Sequence, residues 1–227
     1  MRKLFMATLL VASGCGSSSS SKPVSGTISG QPFTPTEVSA VTAGPASCTQ
    51  PVSFEAKAFA VRMASFTGVC TDLTADPLCK LQASARTVTV VFADVGATSA
   101  PTLGAGTFAV NPNPANAVIQ TSGPLAGTLV AAFAMSVTTG ADCSTGTEEE
   151  VAKGTLRVDS VNGTTITGSV DLTFGQYDAV HDVFTPGTDT LKGDFTATVC
   201  AQSITSDQLC ALAGAGGQCS DMSGPHC

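Results

Sequence analysis

The stretch Ile166-Thr167-Gly168-Ser169-Val170-Asp171-Leu172-Thr173-Phe174 decides the fold. Apolar residues or glycine take every second position, and Thr, Ser or Asp fill the positions between. A period of two sends successive side chains to opposite faces of an extended chain, so this is a half-buried β-strand. Further on, Leu191, Gly193, Phe195, Ala197 and Val199 alternate with Lys192, Asp194, Thr196 and Thr198 in the same way. Both runs carry apolar-x-Gly-x-apolar, which marks a bulge or a close backbone approach on the inner face if the strands pair. Upstream, Gly154 to Val161 places Leu156 and Val158 inward, and Asn162-Gly163 is a strong tight-hairpin signal. Residues 152 to 200 therefore read as a three-stranded meander.

Working outward, the same period predicts strands at Arg86 to Asp94 (Val88, Val90, Phe92) and Gly127 to Thr138 (Leu129, Ala131, Phe133, Met135, Val137). Residues 52 to 66 alternate on two parities: Val52, Phe54 and Ala56 on one, Phe59, Val61 and Met63 on the other. A bulge near Ala58 reconciles them, and strand is preferred to helix, although Ala, Glu, Lys, Met and Arg are also helix formers. Val24-x-Gly26-x-Ile28-x-Gly30 alternates until Pro32 and Pro35 and suits a first edge strand. Gly96 to Gly106 and Asn111 to Asn116 are turn-rich loops. One short helix is expected from Thr205, where Thr205-x-x-Gln208 forms a capping box before Leu209 and Cys210. The expected fold is mainly β: an antiparallel β-sandwich or barrel-like domain over 24–200. A Cys-rich tail, 201–227, would be stapled to it by disulfides.

The N-terminus places the protein in a compartment. Arg2 and Lys3 precede an apolar run from Leu4 to Ala12, and Ser13-Gly14 leads into Cys15. A charged start, a short apolar middle and small residues before a cut make a secretory signal peptide, and the run is about half of what spans a bilayer. Cysteine directly after the small residues resembles the lipobox of bacterial lipoproteins, with Ala12 where leucine is commoner. That resemblance implies cleavage after residue 14 and lipid on Cys15. It also implies outer-membrane sorting, since Gly16 is not the aspartate that retains many such proteins in the inner membrane. Residues 15–23, with five consecutive serines from Ser17 to Ser21, read as a flexible tether.

Composition agrees with export. Without residues 1–14 the chain keeps eight basic against seventeen acidic residues, a net charge near −9. No basic run survives, so nucleic acid is not an expected partner, and an anionic headgroup surface is expected to repel the globule. Cys15 aside, eight cysteines remain: Cys48, Cys70, Cys79, Cys143, Cys200, Cys210, Cys219 and Cys227. An even number in an oxidising compartment points to disulfides, although eight thiols allow 105 pairings. The favoured local pairs are Cys70 with Cys79, and pairs within Cys200 to Cys227. No C-x-x-C exists, and His181 and His226 lack ligand spacing, which disfavours zinc.

The search for chemistry returns few groups. G-x-S-x-G, H-E-x-x-H and a Walker loop are all missing, and the one S-x-x-K, Ser19 to Lys22, lies in the tether. Tyr177-Asp178-Ala179-Val180-His181-Asp182 gathers the sole tyrosine, a histidine and two carboxylates. Asp178, His181 and Asp182 could serve as metal ligands or a general-base pair, but a solvated loop between the last two strands is the preferred reading. Glu148-Glu149-Glu150 reads as a solvated strand entrance. Asp72 and Asp76, near Cys70 and Cys79, lack calcium-loop spacing and suit a disulfide-closed loop. No cofactor is expected.

Val24-Ser25-Gly26-Thr27-Ile28-Ser29-Gly30-Gln31-Pro32-Phe33 directly after a lipobox and serine tether, with the strands at 166–174 and 193–200, is similar to uncharacterised β-rich lipoproteins of myxobacteria and related predatory bacteria. The resemblance covers about a quarter of the chain and brings no activity with it. The function expected is a lipid-anchored, non-enzymatic envelope protein, a structural or interaction module held to the membrane by its N-terminal lipid. The alternatives are an envelope-associated hydrolase or metal-dependent enzyme using Asp178, His181 and Asp182, and a small-ligand binder with its site in a barrel mouth.

Overall fold

A computed structural model of the chain describes residues 22–48, 54–71, 82–95, 104–113, 118–119, 129–142, 150–201 and 203. The segment 1–14, Cys15, residues 16–21, Asp72, Asp76, Glu148, Glu149 and the helix expected from Thr205 lie outside the described residues. So do Cys79, Cys143, Cys210, Cys219 and Cys227. Among the described residues eleven strands form one sheet: β1 (Ser25–Ile28), β2 (Gln31–Phe33), β3 (Glu37–Cys48), β4 (Phe54–Ala64), β5 (Arg86–Val95) and β6 (Gly106–Val110). They continue with β7 (Val118–Ile119), β8 (Leu129–Thr138), β9 (Glu150–Val161), β10 (Thr165–Asp178) and β11 (Val183–Val199). Among the described residues helix is confined to one turn at 69–71.

The meander is there as expected. β9 pairs with β10 and β10 with β11, antiparallel throughout, and Asn162 turns the first hairpin by accepting from the Thr164 and Thr165 amides at 2.9 and 2.7 Å. Ile166, Val170, Leu172 and Phe174 are all buried, while Asp171 is exposed, as the period of two requires. The two glycines do not face each other: Gly168 lies opposite Phe195, and Gly193 opposite Val170. A Cβ at Gly168 would stand 2.0 Å from the Arg157 carbonyl oxygen, and the β9 register slips there by one residue, so bulge and close approach coincide.

Hydrogen bonding runs β10-β9-β8-β5-β4-β3-β11, and β11 returns to β10. The circuit closes, which makes the domain a barrel, with seven strands in the ring. Closure uses one parallel contact, Thr198 with Ser39 and Val199 with Ala40; every other pairing between strands of the ring is antiparallel. β8 and β9 pair directly at only two positions, and β6 lies along β9 where they part. The interior is a packed apolar core. Phe59 stacks on Phe92 at 5.1 Å between ring centroids, and Phe92 meets Phe108 edge-on at 4.2 Å. Around them lie Val61, Met63, Val88, Val90, Leu156, Ile166 and Leu172. Side chains that fill the lumen leave the outer surface for binding.

Three expectations need correction. Residues 54–64 form a strand, but β4 carries no bulge, since its register with β5 is unbroken from Ala56 to Ala64. Both parities are apolar because both faces are covered. Phe59, Val61 and Met63 enter the barrel, while Ala58, Ala60 and Ala64 pack outside against Val69 and Cys200. The irregularity opposite Ala58 belongs to β3, between Ala43 and Ala46. The edge strand is β2, which contains Pro32; β1 lies between β2 and β11. The β1–β2 hairpin folds across one mouth of the barrel. Ile28 and Phe33 join the core, Asp189 accepts from the Gly30 amide at 2.9 Å, and Arg86 donates to the Pro32 carbonyl at 2.9 Å.

Cys70 is bonded to Cys200, 130 residues away, and not to Cys79. That bond also removes Cys200 from any pairing inside the C-terminal cluster. Topology explains the choice. Glu37 accepts from the Gly68 and Val69 amides and so holds the helical turn beside the start of β3. The end of β11 runs along the same strand, with the Cys200 amide donating to the Ala40 carbonyl at 2.7 Å. The two Cα atoms come to 5.4 Å.

Candidate functional site

The residues singled out from sequence lie at the tip of the β10–β11 hairpin. Near Gly175 the register shifts so that β11 carries extra residues between Pro186 and Thr190. Direct pairing of β10 with β9 ends at Gly175 opposite Val151. From there residues 176–186 continue as a two-stranded ribbon beyond the barrel. Its pairs are Gln176 with Thr185, Tyr177 with Phe184 and Asp178 with Val183.

The Asp178 carboxylate organises the turn. One oxygen accepts from the Val180 amide at 2.9 Å and the His181 amide at 3.2 Å, and the other meets His181 Nδ1 at 2.6 Å. A short polar side chain that satisfies the amides two and three residues on is the chemistry of an Asx-type turn. These bonds, the imidazole first and the two amides after it, favour the ionised carboxylate and lower the Asp178 pKa. Asp182 sits at φ 53° and accepts from Tyr177 Oη at 2.6 Å. That bond stabilises the neutral phenol and raises the Tyr177 pKa; partial desolvation and the Asp182 charge act in the same direction.

The three candidate ligands are thus split into two pairs. Asp178 with His181 has the outline of a carboxylate-oriented imidazole, but the side chains are 50% and 73% exposed, so bulk water screens them. Among the described residues no group of three or more His, Cys, Asp and Glu is arranged to hold a metal ion. Val180 and Val183 are the large apolar side chains exposed here, at 87% and 51%. Tyr177 and Phe184, one step back along the ribbon, pair with each other and are half-buried; Val183, next to Phe184 in the strand, points to the other face. The polar groups of this loop are legible in the sequence, and the apolar ones are not. The only signal for them was valine within a turn.

A second feature concerns the chain's N-terminal side. Lys22 to Val24 runs beside β11, with Pro23 in a parallel bridge to Asp194: the Asp194 amide donates to the Lys22 carbonyl at 2.8 Å, and the Val24 amide to the Asp194 carbonyl at 3.1 Å. Gly193, at φ 137°, permits this crossing, because a Cβ there would stand 2.7 Å from both the Lys22 oxygen and the Val24 Cα. The segment that leads to the tether is therefore held to the side of β11 away from β10, at Asp194. It lies roughly 35 Å along β11 from the ribbon tip.

Arg62, which no sequence signal marks, is the largest fully buried side chain among the described residues. It occupies the outer face of β4 between Ala60 and Ala64, and its Nε donates to Thr89 Oγ1 at 3.2 Å. No helix among the described residues is long and apolar enough to cross a membrane. The chain matches no family model, no curated protein sequence and no solved structure.

Proposed function

We propose that the chain is a lipid-anchored, non-enzymatic protein of the bacterial outer membrane. Cys15 carries the anchor, and the β10–β11 ribbon is the part offered to an envelope or extracellular protein. The ribbon carries this reading: it continues past the barrel pairing and exposes Val180 and Val183 at its tip, with the Tyr177–Phe184 pair one step back along it. Apolar and aromatic groups at the end of an ordered hairpin suit the centre of a protein contact, where burial removes them from water. The packed barrel interior directs recognition to the outside of the molecule. The attachment of Lys22–Val24 on the barrel side, well away from the tip, suits a module tethered at one place and engaging partners at another.

Two measurements test it. The intact mass of protein from the membrane fraction should correspond to a chain beginning at Cys15 plus acyl chains; an unacylated chain sinks the anchor. Val180→Asp with Val183→Asp should leave stability within about 0.5 kcal/mol, as exposed substitutions do. The same change should abolish co-purification of the partner recovered with the wild-type protein. Unchanged recovery would remove the ribbon from the interaction.

A further inference from the structure

The outer face of β9, β10 and β11 has a charge balance unlike the rest of the molecule. Successive outward positions pair across the three strands: Lys153 with Thr173 and Thr190, Thr155 with Asp171 and Lys192, Arg157 with Ser169 and Asp194. Lys22 joins them from the segment crossing at Gly193. A depression of about 670 Å³ lies here, lined by Lys22, Thr107, Arg157, Ser169, Lys192 and Asp194 among others. Four of the eight basic residues that remain after Gly14 stand on this face, against three of the seventeen acidic ones, Asp159, Asp171 and Asp194. Asp159 pairs with Arg157 and Asp171 with Lys192, all of them substantially exposed. Among the described residues Lys22 and Lys153 make no ion pair with an acidic side chain.

We infer that this face lies against the anionic headgroups of the lipid surface to which the chain is tethered. The inference rests on the anchor proposed above. The seven residues from Cys15 to the start of the described chain reach at most about 25 Å, so the barrel cannot leave the surface. The segment they lead into is hydrogen-bonded to β11, and its Lys22 and Pro23 line the depression, which brings this face nearest the lipid. The molecule as a whole is acidic, and its net charge opposes approach. Screening limits that opposition: beyond a Debye length of about 8 Å, carboxylates such as those at the ribbon tip count for little, and the near face decides orientation. Exposed ion pairs are weak enough for lipid phosphates to compete for Arg157 and Lys192, and Ser169, Thr155 and Thr107 add hydroxyl donors. Tethering supplies an effective concentration in the millimolar range, so a shallow preference suffices to orient the barrel. The ribbon is then held in a fixed direction relative to the membrane.

The test uses the lipidated full chain on vesicles of phosphatidylcholine, or of phosphatidylcholine with about 30 mol % phosphatidylglycerol. Lysines are acetylated under limiting reagent and mapped by mass spectrometry after flotation. At about 20 mM salt, Lys22, Lys153 and Lys192 should react about threefold more slowly on the anionic vesicles. The difference should vanish near about 0.5 M salt. Arg157→Glu with Lys192→Glu should remove the protection of Lys22 and Lys153. The salt comparison needs no variant, so a failure of that double variant to fold leaves the test intact. Protein that floats but reacts equally on both vesicles overturns the orientation and spares the anchor. Protein that does not float overturns the anchor and the orientation with it.

Discussion

Asp178 is exposed and Tyr177 half-buried, and each titrates away from its ordinary value chiefly because a neighbour holds one protonation state. Tyr177 is the sole tyrosine and tryptophan is absent, so phenolate absorbance reports this group alone. Its bond to Asp182 raises the pKa, so its contribution to stability is present below the ordinary phenol value of about 10 and is lost as pH rises through the folded value. Asp182→Asn should bring the titration midpoint down toward the ordinary value in a spectrophotometric titration; an unmoved midpoint would mean the bond does not form in solution. Asp178 has the opposite sign. Its lowered pKa gives a contribution present above about 3.9 and lost as pH falls through the folded value. His181→Ala should raise the Asp178 pKa, which carboxyl NMR shifts would follow. The polar character of this loop was legible in the sequence. The division into an Asp178–His181 pair and a Tyr177–Asp182 pair was not, because it depends on a turn with positive φ at Asp182.

Among the elements, strands with one wet face announced themselves and strands with two dry faces did not. β9, β10 and β11 alternate cleanly because the barrel covers one side and water the other. β4 shows two overlaid periods because a helical turn and the end of β11 cover its outer face, and Arg62 is enclosed there. β3, with Gly44-Pro45 inside it, and the short β6 gave no clear pattern, and their places come from pairing with β4 and β9. The crossing at Gly193 also belongs to this scale. Gly193→Ala should detach Lys22–Val24, because the new methyl cannot fit against the Lys22 carbonyl and the backbone angle disfavours alanine. Hydrogen exchange of the Val24 and Asp194 amides should then quicken by about tenfold or more, while the paired amides of β9 stay protected. Uniform exchange across the meander would indicate global destabilisation instead.

At the scale of the whole molecule, the Cys70–Cys200 bond ties the end of the last strand to the turn following β4, next to the one parallel contact in the ring. Two paired residues make a short seam, and a cross-link over 130 residues limits the freedom of the unfolded chain that would otherwise oppose closure. In the loop-entropy account the bond contributes about 5 kcal/mol. Cys70→Ser with Cys200→Ser should lower urea stability toward that amount, and a loss below about 1 kcal/mol would mean the seam holds unaided. Charge tells the same story of position against composition. The chain is acidic and has no basic run, yet folding lays Lys22, Lys153, Arg157 and Lys192 on one face.

The sequence by itself determined the β class, the meander at the C-terminal end, and which side chains of that meander point inward. Those properties follow from local periodicity and turn chemistry, which act between near neighbours. It also carried the expectation of export, through a short N-terminal motif read by itself. Only the tertiary structure decided between sandwich and barrel, chose Cys200 as the partner of Cys70, buried Arg62, and gathered the basic residues beside the tether. Each of these depends on which distant strands lie side by side, and a contact across 130 residues leaves no periodic trace in the chain.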